Sequence, residues 1–433
     1  MAIADTIYES LTNEDDGRLC RDITDEACRE TPTSFVLMLV SYFLTKLGDA
    51  LASPKTTLAW LTTSVGAPPW VLGFLVPIRE SGSMIPQVLI GGYIRSMPVR
   101  KWIWVAGSVV QALCVAGMGW VAFRLEGAAA GWAILGLVTL FSLGRSFCSI
   151  AAKDVLGKTV PKARRGQLTG WSASAAGLVT VAVGITLMLS LGDQVSATVI
   201  GALLVAAAGL WMVAAAVFSQ VPEYAGETGG GRSLFNALER LSLLATDAPF
   251  RRFVITRALL MCSALSAPFY VAMAQQNLGS PTYLLGAFVA ASGLASLVSA
   301  PFWGRFADIS SRRVMVAAAV LTSGIGLVTV GVDQLAPGFV RTVWFLPLAY
   351  FVLMVAHSGV RVGRKTYVVD LATGNQRTDY VAISNTVIGV LLLLVGSVGA
   401  LTAVIGNAGV IGLLALMGLA GAFLGTTLPD TES

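Results

Sequence analysis

The chain is 433 residues long, 55% hydrophobic and only 12% charged, with a mean hydropathy of +0.75 and a formal net charge of +5. A soluble domain carries about a quarter charged residues, so this chain lacks the charge to coat a water-facing surface, which excludes a soluble enzyme. Apolar runs of roughly 20 residues, the length that spans a bilayer core, recur throughout, and the excess of base follows the membrane instead of marking a nucleic-acid partner.

Residues 1–33 form an acidic tail with nine Asp/Glu against Arg18, Arg21 and Arg29. They lack the basic start and short apolar core of a cleavable signal. Cys20 and Cys28 lie in this tail, and Cys114, Cys148 and Cys262 lie inside apolar runs. No disulfide framework is expected from so few cysteines, and no metal site, because no His accompanies the tail pair. Twelve spans follow, at 34–54, 69–94, 102–123, 129–150, 167–192, 197–219, 252–276, 281–303, 314–333, 342–363, 378–403 and 407–427. They divide into an N-terminal six-helix bundle, 34–220, and a C-terminal one, 252–427, before a short tail, 428–433. The intervening 221–251 is hydrophilic; Gly229-Gly230-Gly231 is a flexible-linker signal, and the stretch from Ser233 to Leu241 reads as a short amphipathic helix at the membrane surface.

The connections alternate in charge. One set carries eighteen Lys/Arg: Arg95, Arg100 and Lys101; Lys153, Lys158, Lys162, Arg164 and Arg165; Arg232, Arg240, Arg251 and Arg252; Arg305, Arg312 and Arg313; Arg364, Lys365 and Arg377. The other offers only Lys55, Arg124 and Arg341. Short basic loops stay in the cytoplasm, so both termini are expected there, with 55–67 and 277–280 on the opposite side of the inner membrane.

The halves also repeat. Gly91-Gly-Tyr-Ile-Arg-Ser-Met-Pro-Val-Arg100-Lys101 follows the second span, and Gly304-Arg-Phe-Ala-Asp308-Ile-Ser-Ser-Arg312-Arg313 follows the eighth. Arg145 precedes Asp154 by nine residues late in the fourth span, and Arg361 precedes Asp370 by nine late in the tenth. Two related six-helix halves around a midplane site are a known transporter plan.

The segment Gly304-x-x-Ala-Asp308-x-x-x-Arg312-Arg313 resembles the loop signature of the major facilitator superfamily, Gly-x-x-x-Asp-Arg-x-Gly-Arg-Arg, with Ile309 and Ser311 at its other Arg and Gly positions. The first-half copy keeps Gly82, Gly91 and Arg100-Lys101 but has Arg95 for the acid and Pro98 for the second Gly. Pro161-Lys-Ala-Arg164-Arg165 looks like a further loop motif of that superfamily, with Lys162 in place of its acid. The resemblance implies two pseudo-symmetric bundles of six transmembrane helices that rock about a central site, acting as a monomer and without a cofactor. It also implies a cytoplasmic latch of Gly91, Arg100, Lys101, Gly304, Asp308, Arg312 and Arg313, to which Arg145, Asp154, Arg361 and Asp370 are added from their spacing. The alternative for these charges is that they anchor helix ends at the interface.

Charges inside spans are costly, about 2.5–3.5 kcal/mol each at the bilayer centre on insertion scales, so each is a site hypothesis. Tyr42, Lys46, Asp49 and Ser53 share one helical stripe, and Glu80, Ser83 and Gln87 another beside Arg79. Asp49 or Glu80 is a proton carrier in a low-dielectric cavity, or else Lys46/Asp49 and Arg79/Glu80 are ion pairs that fix packing. Arg257 is an anion contact or an interfacial cation, and His357 a proton relay or a packing residue. Cations outnumber acids in the spans by five (Lys46, Arg79, Arg145, Arg257, Arg361) to two. That excess predicts a small organic anion or zwitterion as solute, with protons coupled.

No phosphate loop of the Gly-x-x-x-x-Gly-Lys-Ser/Thr type occurs, and no Cys/His cluster or loop carboxylate pair supplies an enzyme site. The fifth span, Trp171 through Gly184, lacks the Gly-Pro pair of many drug/proton antiporters of the superfamily. Uptake is therefore expected, with export or flipping of drugs or lipids as the alternative.

Overall fold

The computed structural model describes residues 8, 23–189, 196–226, 228, 240–307, 309–371 and 376–429. Among these, helices dominate and no strand occurs. In lipid every backbone N–H and C=O must be satisfied within its own segment, and the apolar runs comply as α1 (Thr31–Leu51), α2 (Thr57–Ser64), α3 (Pro69–Met84), α4 (Pro86–Arg95), α5 (Lys101–Arg124), α6 (Gly127–Thr159), α7 (Lys162–Leu189) and α8 (Ala197–Ser219). The second half contains α9 (Ala248–Leu259), α10 (Cys262–Leu265), α11 (Ala267–Leu278), α12 (Thr282–Ala307), α13 (Ser311–Leu335), α14 (Phe345–Leu371), α15 (Gln376–Gly396) and α16 (Thr402–Thr426). Among the described residues, ten helical stretches are long and apolar enough to cross a membrane. Large apolar side chains such as Leu113, Trp132, Leu178, Leu394 and Phe423 remain exposed on the outside. The chain is a multi-pass membrane protein.

Prolines and caps set the boundaries. Pro69 and Pro86 stand in the first turns of α3 and α4, where the missing N–H costs nothing, and Pro86 divides the second span. The Asp247 and Ser310 side chains accept the Phe250 and Arg313 amides and so start α9 and α13. Gly406, at φ 68°, kinks the chain near the start of α16, a backbone conformation that favours glycine.

The first span of each half is broken. In the N-terminal half the break is 52–56, between α1 and α2; in the other it falls between α9, α10 and α11. The predicted loop 55–67 is thereby corrected: helix resumes at Thr57, and only 65–68 connects to α3. Helices α6 and α14 run on to Thr159 and Leu371, past the predicted span ends, so Lys153, Lys158, Arg364 and Lys365 ride on helices and not in loops. The predicted linker helix lies almost wholly outside the described residues. No disulfide framework was expected, and Cys28 is nonetheless disulfide-bonded; Cys114, Cys148 and Cys262 are free and buried.

Two seams join the halves. Along α7 and α12 a Cβ on Gly184 would lie 2.4 Å from the Ala290 nitrogen, and one on Gly286 2.5 Å from that of Met188. Along α3 and α15 a Cβ on Gly73 would lie 2.5 Å from the Gly396 oxygen, and Ser81 Oγ donates to the Gly389 carbonyl at 2.7 Å. Both seams favour the end of the bundle away from the charged loops. There one apolar core is shared by both halves, including Trp60, Leu75, Tyr270 and Leu346. Toward the charged loops it forks into two separate cores, one around Phe35, Trp104 and Phe218 and one around Phe253, Met315 and Tyr367. The halves are thus fused at the far end and apart at the end bearing the charged loops.

Candidate functional site

The break between α1 and α2 creates the first half of the site. Pro54 cannot continue α1. Ser53 turns the chain, its carbonyl accepting the Leu58 amide at 2.9 Å and its hydroxyl the Lys55 amide at 3.2 Å. Lys55 is thereby held inside the bundle, only 9% exposed, with Nζ 2.7 Å from His357 Nε2 on α14. His357 Nδ1 lies 3.0 Å from Ser263 Oγ, whose hydroxyl donates to the Leu260 carbonyl at 3.0 Å. With Lys55 as an ammonium the relay is consistent in direction: one Lys55 N–H donates to Nε2, the Nδ1–H donates to Ser263, and Ser263 donates to Leu260. The pair therefore holds one positive charge, not two, and it ties the breaks of the two first spans together across the halves.

Asp49 is the second centre. It accepts from Arg79 Nη2 at 2.7 Å and, through its other oxygen, from Arg145. Arg79 also stacks over the Phe141 ring at 4.3 Å, a cation–π contact that favours its charge. The predicted pairing is corrected: Lys46 donates to the Thr169 carbonyl and the Ser172 hydroxyl on α7, both at 2.7 Å, and Arg79 goes to Asp49 instead of Glu80. Arg145 also leaves the predicted latch, because it sits mid-helix on α6 facing Asp49, and Asp154 takes Arg100 and Lys158.

Arg257 on α9 is the third. It is 6% exposed and donates to Ser384 Oγ and Asn385 Oδ1, both at 2.7 Å, while its Nε is buried without a partner. Arg364 and Glu80 act on it electrostatically. Glu80, half-buried on α3, lies within electrostatic reach of Lys55, Arg361, Arg364 and Arg79. Among the described residues it has no ion pair within 4.0 Å. Arg361 is exposed and Arg364 half-buried. Arg361 is thus part of this central group and not of a latch with Asp370, whose oxygen meets Ser311 Oγ at 3.3 Å. Lys55 and Arg364 were missed by sequence reasoning; the spacing His357, Arg361, Arg364 along one face of α14 was the available signal.

The remaining latch candidates form two separate networks. In the first half Glu223 accepts the Arg100 and Lys101 amides at 2.9 and 2.6 Å and the Lys158 ammonium at 3.1 Å, while Arg100 pairs with Asp154. In the second, Arg312 donates to the Leu428 carbonyl at 2.9 Å and Tyr367 to that of Pro429 at 3.0 Å. Each network closes the chain leaving its half onto its own loop. Arg313 is exposed, and Gly304 has open space where a Cβ would stand, so no close approach requires a glycine there in this state. Gly91 lies on α4, and Asp308 falls outside the described residues.

No family model matches the chain, and no curated protein is similar to it in sequence. Solved structures match over nearly its whole length. The inward-open xylose transporter XylE from E. coli aligns with TM-score 0.69 at 16% identity, over 92% of this chain and 97% of that one. A structure described as the major facilitator superfamily proton:xylose symporter XylE gives 0.59 at 15%, over 93% and 97%. The nucleoside transporter NupG gives 0.70 at 12%, over 91% and 99%.

The chain has the major facilitator fold. Lys55 and His357 meet across the two bundles, and Glu80 of the first lies within electrostatic reach of Arg361 and Arg364 of the second. Lys55, Asp49, Arg79 and Arg145 come from the first bundle, and Arg257, His357, Arg361 and Arg364 from the second.

Proposed function

We propose that the chain is a secondary active transporter that carries a small organic anion or zwitterion together with protons. It would make twelve crossings and work by rocking of its bundles around the charge cluster. The observation that carries this reading is the cluster itself: among the described residues, Lys55, Arg257, Arg361 and Arg364, with Lys365 exposed beside them, have Glu80 as the acid they share outside the Asp49 centre. A buried cation without a counter-charge is costly, and a bound anion relieves it. Glu80 is the proton acceptor of this reading, since Asp49 is committed to two guanidinium groups; the surrounding cations hold Glu80 ionised until a bound anion answers them, so solute and proton enter together. The related folds include a proton:xylose symporter and a nucleoside transporter, which supports secondary transport and leaves the solute to the chemistry of the site.

The basic-loop asymmetry survives the reassignment of Lys55, Arg364 and Lys365 and puts the charged loops in the cytoplasm. The forked end then faces inward. The Cys28 disulfide pulls the other way, since disulfides persist in oxidising compartments; side-specific thiol labelling of introduced Arg124→Cys and Ser96→Cys decides between the two. Transport itself is tested by uptake of labelled anions into sealed vesicles with an imposed proton gradient. Gradient-driven accumulation is expected, and gradient-independent leakage or no flux would refute the reading. Outward movement of apolar drugs or lipids would instead establish export.

A further inference from the structure

We infer that the solute is a small organic polyanion, with at least two negative charges seated among Arg257, Arg361, Arg364 and Lys55. The inference rests on the transporter reading and narrows its substrate class.

The charge count is the first ground. Lys46 donates to a carbonyl and a hydroxyl of α7, and Arg79 and Arg145 share Asp49, so these three side chains have their donors engaged within the first bundle, although their positive charge exceeds the negative charge of Asp49. Four cations remain around Glu80: Lys55, Arg257, Arg361 and Arg364. The other groups facing this cluster are His357 on α14, whose Nε2 accepts from Lys55, Arg79 on α3, Arg145 on α6, and Lys365, exposed at the rim on α14 with Lys153 near it; all but His357 are cations and only add to the positive charge. Glu80 answers one positive charge. A monoanion would answer a second and leave two; a dianion or trianion answers the rest. A zwitterion, which adds a cation, fits worst.

Donor geometry is the second ground. Arg257 spends both terminal nitrogens on neutral acceptors and keeps a buried Nε with no partner. Orphan guanidinium donors in a buried site call for an anionic acceptor, and Arg binds carboxylate and phosphate oxygens through its planar fork. Arg361 and Arg364, one helical turn apart on α14, have no hydrogen bond or ion pair among the described residues. They are also the accessible members, Arg361 exposed and Arg364 half-buried. A solute entering from the forked end would meet these two first and Arg257 and Lys55 deeper. Phosphate monoesters and dicarboxylates share this chemistry.

Thermal stabilisation of the purified full-length protein tests the inference, because a ligand of the native state raises the melting temperature by mass action. The probes are matched pairs: succinate with its monoamide, glucose 6-phosphate with glucose, and inorganic phosphate alone. Stabilisation by a dianion but not by its less charged partner is the expected result, and which pair responds separates dicarboxylate from phosphate ester. Arg361→Gln and Arg364→Gln should each weaken that dianion roughly tenfold to a hundredfold, the loss of a charge-assisted contact. The lysine variants at the same positions should recover part of it, which guards against simple misfolding. Equal stabilisation by a neutral or monoanionic partner, no response to any dianion, or unchanged dianion affinity in both Gln variants would each overturn the inference. Rocking of the two halves, read by distances between spin labels, stands apart from the outcome. If the halves rock and a neutral solute binds, the polyanion fails while the transporter reading stands; if they do not rock, that reading fails too.

Discussion

Asp49 and Glu80 are both acids within apolar helices of the first bundle, yet their surroundings assign them different work. Asp49 accepts from Arg79 and Arg145, so Asp49→Asn leaves two guanidinium groups facing each other. Because the three side chains retain part of their exposure, 20%, 12% and 37%, the loss should be about 1–3 kcal/mol, visible as a lower melting temperature. Glu80 has no ion pair within 4.0 Å but answers several cations at longer range, so Glu80→Gln should lower the melting temperature less than Asp49→Asn does and abolish the pH dependence of uptake. Unfolding of the Glu80 variant, or unaltered pH dependence, would count against that division of roles. The sequence made Asp49, Glu80, Arg79, Arg145 and Arg257 legible because a charge stands out in an apolar run. It did not make Lys55 legible, since Pro54 reads equally as the end of a span and as a break within one. Arg364 was hidden in the same way by the assumption that α14 stops where the charges begin.

At the scale of elements, the spans were legible from their apolar length, and their ends were not. Helices α6 and α14 continue through basic residues because Lys and Arg are good helix formers once clear of the apolar core. Which partners close the loops was invisible, since the partners are distant in sequence. Glu223 is the clearest case: its side chain is fully buried and accepts the first amides of α5 together with Lys158. Glu223→Ala should cost about 0.5–2 kcal/mol, as for loss of a helix cap, read as a fall in melting temperature. The seams between bundles make a sharper prediction. A Cβ at Gly184 would press on backbone atoms of Ala290, which cannot swing aside. Gly184→Val should therefore destabilise by about 1–3 kcal/mol, the usual cost of overpacking, whereas Gly209→Ala, within α8 and with open space around it, should be neutral to slightly stabilising.

The whole molecule was legible through its repetition. Related loops after the second and eighth spans and the alternating loop charge pointed to two bundles, and the structure has the fold they implied. Whether the halves meet at one end or the other has no linear signature, because it depends on packing between bundles. The far end is sealed by the shared core and by Gln275 on α11, which donates to the Trp60 carbonyl at 3.4 Å and the Ser64 hydroxyl at 3.3 Å. These are few polar ties for a junction that must open, and Gln275→Ala should shift the population toward opening there.

The central claim is that the two bundles rock about the charge cluster, so that one end closes as the other opens. Spin-label pairs report it directly, with Ser96 and Ile309 labelled at the charged-loop end and Arg124 and Gln334 at the far end, all exposed positions. The distances are measured in lipid under acidic and alkaline conditions, in the wild-type background and with Glu80→Gln. The account predicts reciprocal change: any condition that shortens the Ser96–Ile309 distance lengthens the Arg124–Gln334 distance. Both distances fixed, or both moving in the same direction, would contradict it.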